Sequence, residues 1–391
     1  HLLDCLRIHQ WTLELVELCC SCLHQLTRLD RSRIQSPRHL SQMIALLFDA
    51  AETHPSSLPL HTSIWQTLCN DSILQSSSIT FDMVRCCENA FLSMITHKHR
   101  SITKMTVAIV SILAAKIPVS DTVRLGSNDV HMQYLLNTIV DQSASVTTPQ
   151  QPPAPGAAPQ LTSAEITLRY CLSALWNLTD ENAETCDCFL RHNGLPIALS
   201  VLKKFQERTF QTKVLGLLNN LAEVESLKGH LLSPDCLELV IELVSSSHIE
   251  VAYFAAGVLA HLCMMPDWGF VPTLSDCEIK LRTAVESWQD PTSAMVAYRS
   301  FKPFLPLLDP SCPNGVILWA LWALNHVCSK QASDERYVPI LIENGGLPVL
   351  QKLSGAISTL SVKTGQLLTS IFALINVHLS AVEPQNRMET D

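Results

Sequence analysis

Two short stretches of this sequence, "ALWNLTD" and "LLNNLAE", carry the same types of polar side chain at the same spacing. Side chains three or four residues apart lie on one face of a helix, so each stretch would present an amide and a carboxylate together. Two carboxylates can share an ammonium group through charge-assisted hydrogen bonds, and amides can pair with an extended peptide backbone. A tryptophan ring face also attracts a cation. The set therefore indicates binding of an extended peptide with a free amine, and its members are Trp176, Asn177, Asp180, Asn220 and Glu223.

Each of these residues also has a structural explanation. A tryptophan on a helix more often packs in a core, and an Asp-Glu pair such as Asp180-Glu181 is often a solvated helix end. Asn177 and Asn220 can also hydrogen-bond to the backbone between repeats. The recurrence of the set in both stretches is what makes a binding site as good an explanation as a structural role.

The elements that would position these side chains are repeated helices. The stretches at 174–180, 217–223 and 258–264 align at intervals of 43 and 41 residues, within the range of armadillo and HEAT repeats. Gly194 and Gly346 each open a Gly-Leu-Pro turn, which is typical of the junction between two helices. The sequence therefore predicts an all-α, armadillo/HEAT-like helical-repeat solenoid with a concave peptide-binding groove. Stacked helices about 8–10 Å apart would bring the two carboxylates into one cleft.

One segment interrupts this pattern. Residues 143–163 are rich in Pro, Ala, Gln and Thr and carry no charge, which predicts a flexible loop inserted in the solenoid. It separates degenerate N-terminal repeats (1–142) from C-terminal repeats that carry the groove (164–391). After Met264 the repeat interval lengthens, so we expect an insertion or an extra helix there.

Composition and motifs exclude several classes of function. The net charge is −9, which argues against nucleic-acid binding, because that affinity depends on Lys and Arg. The longest apolar run, Met105–Ala115, is too short to span a bilayer. GxSxG, P-loop and HExxH motifs do not occur in the sequence, so we expect a non-catalytic protein without a cofactor.

The fifteen cysteines are scattered along the chain. Such cysteines in a helical protein behave as small buried hydrophobic residues in a reducing compartment, which predicts a cytoplasmic or nuclear protein. Cys186 and Cys188 with His192 come nearest to a metal site, but a fourth ligand is not apparent. The sequence therefore predicts no metal. A metal- or thiol-dependent enzyme would need ordered ligands around these three residues.

The stretches "SALWNLTDE", "KVLGLLNNLAEVESL", "VAYFAAGVLAHL", "MVAYRSFKPFLPLL" and "LWALWALNHVCSK" resemble the zyg-eleven family, including the zyg-eleven-related receptors. The resemblance covers roughly 170–350 and is weaker over 1–140. Members of that family are armadillo-like substrate receptors of cullin-two RING ubiquitin ligases, which recognise an exposed N-terminal glycine, the Gly/N-degron. The resemblance therefore implies a substrate-recognition module that binds N-terminal glycine peptides.

By that resemblance, Asp180 and Glu223 would bind the α-ammonium group, while Asn177 and Asn220 would bind the peptide backbone beside Trp176. Further groove members implied with less support are Tyr253 and His261.

The family's elongin and cullin-two partners would bind regions outside this chain. We find no leucine-rich repeats in it, although Leu15-x3-Cys19-x3-Leu23 faintly resembles an elongin-binding box. The alternative function is a general armadillo scaffold of the importin or catenin sort, which binds longer peptides without N-terminal specificity. An adjacent Trp-Asn pair occurs once in these repeats, and this favours a single short pocket.

Overall fold

The computed structural model describes residues 1–29, 36–69, 80–146, 161–266, 273–291, 295–330 and 336–388. Within these residues every regular element is a helix, as predicted for an all-α protein. The helices form armadillo/HEAT-like repeats. The chain forms two compact units, His1–Asn220 and Leu221–Asp391.

The first unit is built from helices that pack in sequence-adjacent groups. In its described part the helices are α1 (Leu2–Ile8), α2 (Leu13–Leu29), α3 (Pro37–Thr53), α4 (Leu58–Leu68), α5 (Met83–His97), α6 (Arg100–Ala114), α7 (Val119–Gly126), α8 (Asp129–Ser145), α9 (Ser163–Thr179), α10 (Ala183–Arg191), α11 (Gly194–Lys204) and α12 (Arg208–Glu223), whose end lies in the second unit. Helix α9 packs against α6 and α8, and α2 packs against α4. The largest buried side chains of this unit include Trp65, Phe48, Phe91, Phe189 and Phe210.

The second unit has a core rich in aromatic side chains. Its described α-helices are α13 (Pro234–Leu243), α14 (Ile249–Leu262), α15 (Leu274–Ser287), α16 (Asn314–Lys330), α17 (Tyr337–Glu343), α18 (Gly346–Ser354) and α19 (Val362–Met388). Short 3-10 helices span Lys228–Leu232, Lys302–Leu308 and Ile357–Thr359. Helix α16 packs against α15 and α19, and α13 packs against α14. Helix α15 follows Met264, where the sequence predicts an insertion or an extra helix.

The Gly-Leu-Pro turns begin helices as predicted. Gly194 is the first residue of α11 and Gly346 the first of α18. The left-handed backbone lies one residue earlier, at Asn193 (φ 58°) and Gly345 (φ 84°). Glycine is needed at 194 for another reason, because a Cβ atom there would lie 2.4 Å from the ring of Phe189.

The helical part of the chain extends into the segment predicted to be a loop. Helix α8 runs to Ser145 and α9 starts at Ser163, so the first residues of the 143–163 segment are helical. Residues 147–160 lie outside the described part of the chain. The division into 1–142 and 164–391 stays a prediction, and the compact units divide between Asn220 and Leu221.

Candidate peptide-binding site

The stretch that carries Trp176, Asn177 and Asp180 is the C-terminal end of α9. This helix starts with a capping box, in which Thr162 Oγ1 accepts from the backbone N–H of Glu165 and the Glu165 carboxylate accepts from the Thr162 N–H. Asp180 directly follows the last helical residue and has an extended backbone. The acidic ending of the stretch is therefore the point where the chain leaves the helix.

The corner after α9 is built by a neighbour of Asp180. Asn182 Oδ1 accepts from the backbone N–H of Thr185 at 3.0 Å, so Asn182 caps α10. Glu181 occupies the left-handed region with φ 53° and is exposed, whereas the Asp180 side chain is half-buried. The N-terminal cap of α10 is therefore made by Asn182 and not by Asp180.

The two asparagines join neighbouring helices through their amide N–H groups. Asn177 Nδ2 on α9 donates to the carbonyl oxygen of Ser111 on α6 at 2.8 Å. Asn220 Nδ2 on α12 donates to the carbonyl oxygen of Trp176 at 2.8 Å and to Thr179 Oγ1 at 2.9 Å. The same contact thus recurs one repeat further along the chain, and it supports the structural explanation for both residues.

The carbonyl oxygens of these side chains have a different environment. Within the described residues, Oδ1 of Asn177 and Oδ1 of Asn220 accept no hydrogen bond, and neither atom is a buried unsatisfied group. An amide whose N–H group is fixed presents its Oδ1 in a defined direction, where it can accept a hydrogen bond from a ligand N–H. Structural and binding roles are therefore compatible in the same side chain.

Trp176 lies close to α12 because that helix has a glycine opposite the ring. A Cβ atom at Gly216 would lie 2.4 Å from Cε2 of Trp176. Lys213, one turn earlier on α12, places Nζ 5.9 Å from the ring centroid and donates to Ser173 Oγ. Burial, with the charge of Arg169, lowers the pKa of Lys213 to about 8.

Sequence reasoning missed Lys213 and Ser173, although helical spacing could have found them. Ser173 precedes Asn177 by four residues, and Lys213 precedes Asn220 by seven, so each lies on the face of its asparagine. The ring of Trp176 thus already has a cation from its own chain beside it. A ligand ammonium group would have to rely on carboxylates more than on this ring.

Glu223 is the last residue of α12 and is half-buried. Burial raises the pKa of Tyr253 in the same unit, and the charge of Glu223 adds a smaller effect in the same direction. Asp180 and Asn220 belong to the first unit and Glu223 to the second. The joint use of both carboxylates therefore stays a prediction.

Tyr253 and His261 both lie on α14 and are buried in the aromatic core. The Tyr253 hydroxyl is hydrogen-bonded to that of Tyr298, and Trp319 Nε1 donates to the Tyr253 carbonyl at 3.2 Å. Burial lowers the pKa of His261 to about 3, and its ring centroid lies 6.1 Å from that of Trp319. Their membership of a groove is untested, and their present surroundings are those of core residues.

The residues that resemble an elongin-binding box are mostly inaccessible. Cys19 and Leu23 on α2 are 5% and 4% exposed, whereas Leu15 is 37% exposed.

All fifteen cysteines are free thiols. Among the described residues, no helix has the length and apolar character needed to cross a bilayer.

Comparison with known proteins identifies the family. The family model described as "Protein zer-1 homolog-like, C-terminal domain" matches residues 7–376. The chain belongs to this family. The zer-1-like assignment confirms the resemblance to the zyg-eleven-related proteins.

Relatives of this zer-1-like chain are longer proteins. It is 28% identical over 354 residues to "Protein zer-1 homolog" of Mus musculus, covering 89% of this chain and 43% of the mouse protein. It is 34% identical over 200 residues to "Zyg eleven-related protein 1" of Caenorhabditis elegans, covering 49% of this chain and 22% of that protein. The chain thus spans less than half the length of these curated relatives.

Among solved structures, a designed armadillo repeat protein matches with a TM-score of 0.38 and 13% sequence identity. That match covers 75% of this chain and 100% of the designed protein.

Proposed function

We propose that this chain is the substrate-recognition module of a cullin-two RING ubiquitin ligase, and that it binds the free N-terminal glycine of substrate proteins. In this role it is a non-catalytic subunit whose ligand is a peptide and which needs no cofactor. It would act inside the cell, in the cytoplasm or nucleus. Elongin and cullin-two subunits would bind parts of the longer protein outside this chain.

The observation that carries the proposal is the hydrogen bonding of the two asparagines. Because their Nδ2 groups donate to neighbouring helices, the Oδ1 atoms of Asn177 and Asn220 stay available as acceptors, and the same two stretches of sequence carry Asp180 and Glu223. A peptide that begins with a free amine offers an ammonium group to the carboxylates and backbone N–H groups to the Oδ1 atoms. An acetylated or internal segment lacks the ammonium group.

The preference for glycine follows from the size of the first residue. Trp176 is half-buried beside α12. The proposal puts the first peptide residue against this indole ring, where a side chain would clash. Glycine avoids this contact and lets the peptide backbone approach closely.

The test is a fluorescence-anisotropy titration of a peptide that begins with glycine. Asp180→Asn and Glu223→Gln keep the side-chain shape and remove one charge each. Losing a hydrogen bond to a charged group costs about 1.5–3 kcal/mol, which is about a 10- to 150-fold loss of affinity. The matched control is Glu181→Gln, which removes the neighbouring exposed carboxylate and should leave the affinity within about twofold.

Two results would contradict the proposal. One is an equal loss of affinity in Glu181→Gln and Asp180→Asn, since long-range charge would then explain binding. The other is tight binding of long basic peptides whatever their N-terminus, which would support the armadillo scaffold instead.

A companion series with Gly, Ala and Val at the first position should show affinity falling with side-chain size.

A further inference from the structure

A second cluster in the first unit brings three kinds of metal ligand together, away from the residues of the proposed peptide site. Cys188 and His192 lie four residues apart at the end of α10, and Asp129 is the first residue of α8. One ligand atom from each side chain lies within 4.8 Å of the other two. The sequence had grouped Cys188 and His192 with Cys186, which does not join this cluster.

The atoms of the cluster converge on one carboxylate oxygen. Asp129 Oδ1 lies 2.8 Å from His192 Nε2 and 3.6 Å from Cys188 Sγ. A tetrahedral zinc ion with ligand bonds of about 2.0–2.3 Å needs its ligand atoms about 3.3–3.7 Å apart. The sulfur–oxygen distance already fits, and the nitrogen–oxygen distance requires an outward movement of about half an ångström.

The placement of the ligands on the fold also suits a metal ion. Cys188 in the last turn of α10 and His192, the residue that follows this helix, lie four residues apart, which is the spacing of the paired histidines of a zinc-binding helix. Cys188 is buried, His192 is half-buried and the Asp129 side chain is 61% exposed. The cluster is therefore shielded from solvent on the Cys188 side and open to solvent on the Asp129 side. Cys186 Sγ instead faces the carbonyl oxygens of Thr179 and Asn220.

We propose that Asp129, Cys188 and His192 form a binding site for a divalent transition metal of the zinc class, with water as the fourth ligand. The mixed S, N and O ligand set suits zinc better than magnesium or calcium, which prefer oxygen ligands. The bound ion would join α8 to α10, two helices that have α9 between them in the sequence.

Binding changes three hydrogen bonds. The Cys188 thiol releases one proton to solvent, because the thiolate is the ligand. His192 presents the lone pair of Nε2 and carries its proton on Nδ1, and Asp129 exchanges its hydrogen bonds for the metal bond. Arg191 Nη1, 3.0 Å from Asp129 Oδ1, must move away, and it keeps its bond from Nε to Asp187 Oδ2 at 2.9 Å.

Arg191 would compete with a metal ion for Asp129. Its guanidinium group donates a hydrogen bond to Asp129 Oδ1, the oxygen that the metal needs, and its charge repels a cation. Arg191→Gln should therefore tighten metal binding. If the cluster only joins two helices by hydrogen bonds, neither the unaltered chain nor Arg191→Gln should bind the metal.

The experiment is a titration of the reduced, chelator-treated chain with Co²⁺, followed by displacement with Zn²⁺. One equivalent of Co²⁺ should give a thiolate-to-cobalt charge-transfer band in the near ultraviolet. The band should disappear in Cys188→Ser and remain in Cys186→Ser, the matched control for a chain with fifteen cysteines. His192→Gln, which changes a half-buried side chain, should weaken binding at least about tenfold and remove the rise in melting temperature that Zn²⁺ gives.

Arg191→Gln should lower the cobalt dissociation constant. The proposal is overturned if the unaltered chain gives no such band, if Cys188→Ser keeps it, or if Arg191→Gln binds the metal more weakly.

Discussion

At the scale of single residues, Asn177 and Asn220 show how one amide side chain could have both a structural and a binding role. Asn220 is 5% exposed, and both protons of its amide are directed to acceptors on α9. Its sequence position suggested both a structural and a binding role. The hydrogen bonds establish the structural role, and the binding role stays a prediction.

Asn220→Ala should lower the free energy of unfolding by about 1–3 kcal/mol, because it removes two hydrogen bonds from a buried position. Chemical denaturation of the purified chain measures this change. Asn137→Ala, on the exposed face of α8, is the matched control and should change stability by less than about 0.5 kcal/mol. Equal stability of the two variants would contradict the structural role of Asn220.

Lys213 is an unusual residue beside Trp176, since no described carboxylate forms an ion pair with it. A half-buried ammonium group that has lost part of its hydration and has no such partner destabilises the folded state. Lys213→Met keeps most of the apolar stem and removes the charge, so it should raise the free energy of unfolding by about 1–3 kcal/mol at pH 7.

The pH dependence of this gain has a defined sign. Between the lowered pKa of about 8 and the unfolded value near 10.5, the unfolded chain binds more protons, so the stability of the unaltered protein rises with pH. The advantage of Lys213→Met should therefore be largest below pH 8 and shrink toward pH 10.5. Lys302→Met, at an exposed position, should show no such trend.

At the scale of elements, α14 shows how a helix that aligns with α9 and α12 can differ from them in role. Residues Val251–Leu262 of this helix are all buried, and its aromatic side chains contact those of α16. Tyr298, which comes after the extra helix α15, covers the Tyr253 hydroxyl. The alignment of Tyr253 and His261 with groove positions could not reveal this cover, because the covering residues lie in an insertion outside the repeat.

His261 should make the second unit sensitive to acid. Its folded pKa of about 3 lies below the usual value of 6.5, so below pH 6.5 the unfolded chain binds a proton that the folded chain excludes. The stability that His261 contributes as a neutral residue is present above pH 6.5 and is lost as the pH falls toward 3. At pH 5 the loss should be about 2 kcal/mol.

Denaturation curves at pH 7 and pH 5 measure this loss. His261→Gln, which cannot titrate, should lose about 2 kcal/mol less than the unaltered protein over this range. The control is His230→Gln, because His230 is exposed in the same unit. An identical pH dependence in His261→Gln and the unaltered protein would show that His261 is not responsible.

At the scale of the whole molecule, the repeat pattern predicted the elements well and the contacts between distant elements poorly. The three aligned stretches lie at the ends of α9, α12 and α14, and the Gly-Leu-Pro turns start α11 and α18. These features depend on local spacing, which sequence displays directly.

The contacts that the sequence did not predict join residues far apart in the chain. Asn177 contacts Ser111 across 66 positions, and Cys188 contacts Asp129 across 59. Both contacts bridge the 143–163 segment, whose length hides the register between the helices on its two sides. One sequence contains no information on such pairs beyond the chemical types of the residues.

The central claim is that the chain recognises a free α-amine, and one comparison tests it directly. Two peptides of identical sequence beginning with glycine, one free and one N-acetylated, are titrated into the purified chain at the same pH and salt concentration. The account predicts that acetylation weakens binding by at least about tenfold, because it removes the charge that Asp180 and Glu223 would bind. Equal affinity for the two peptides would contradict it.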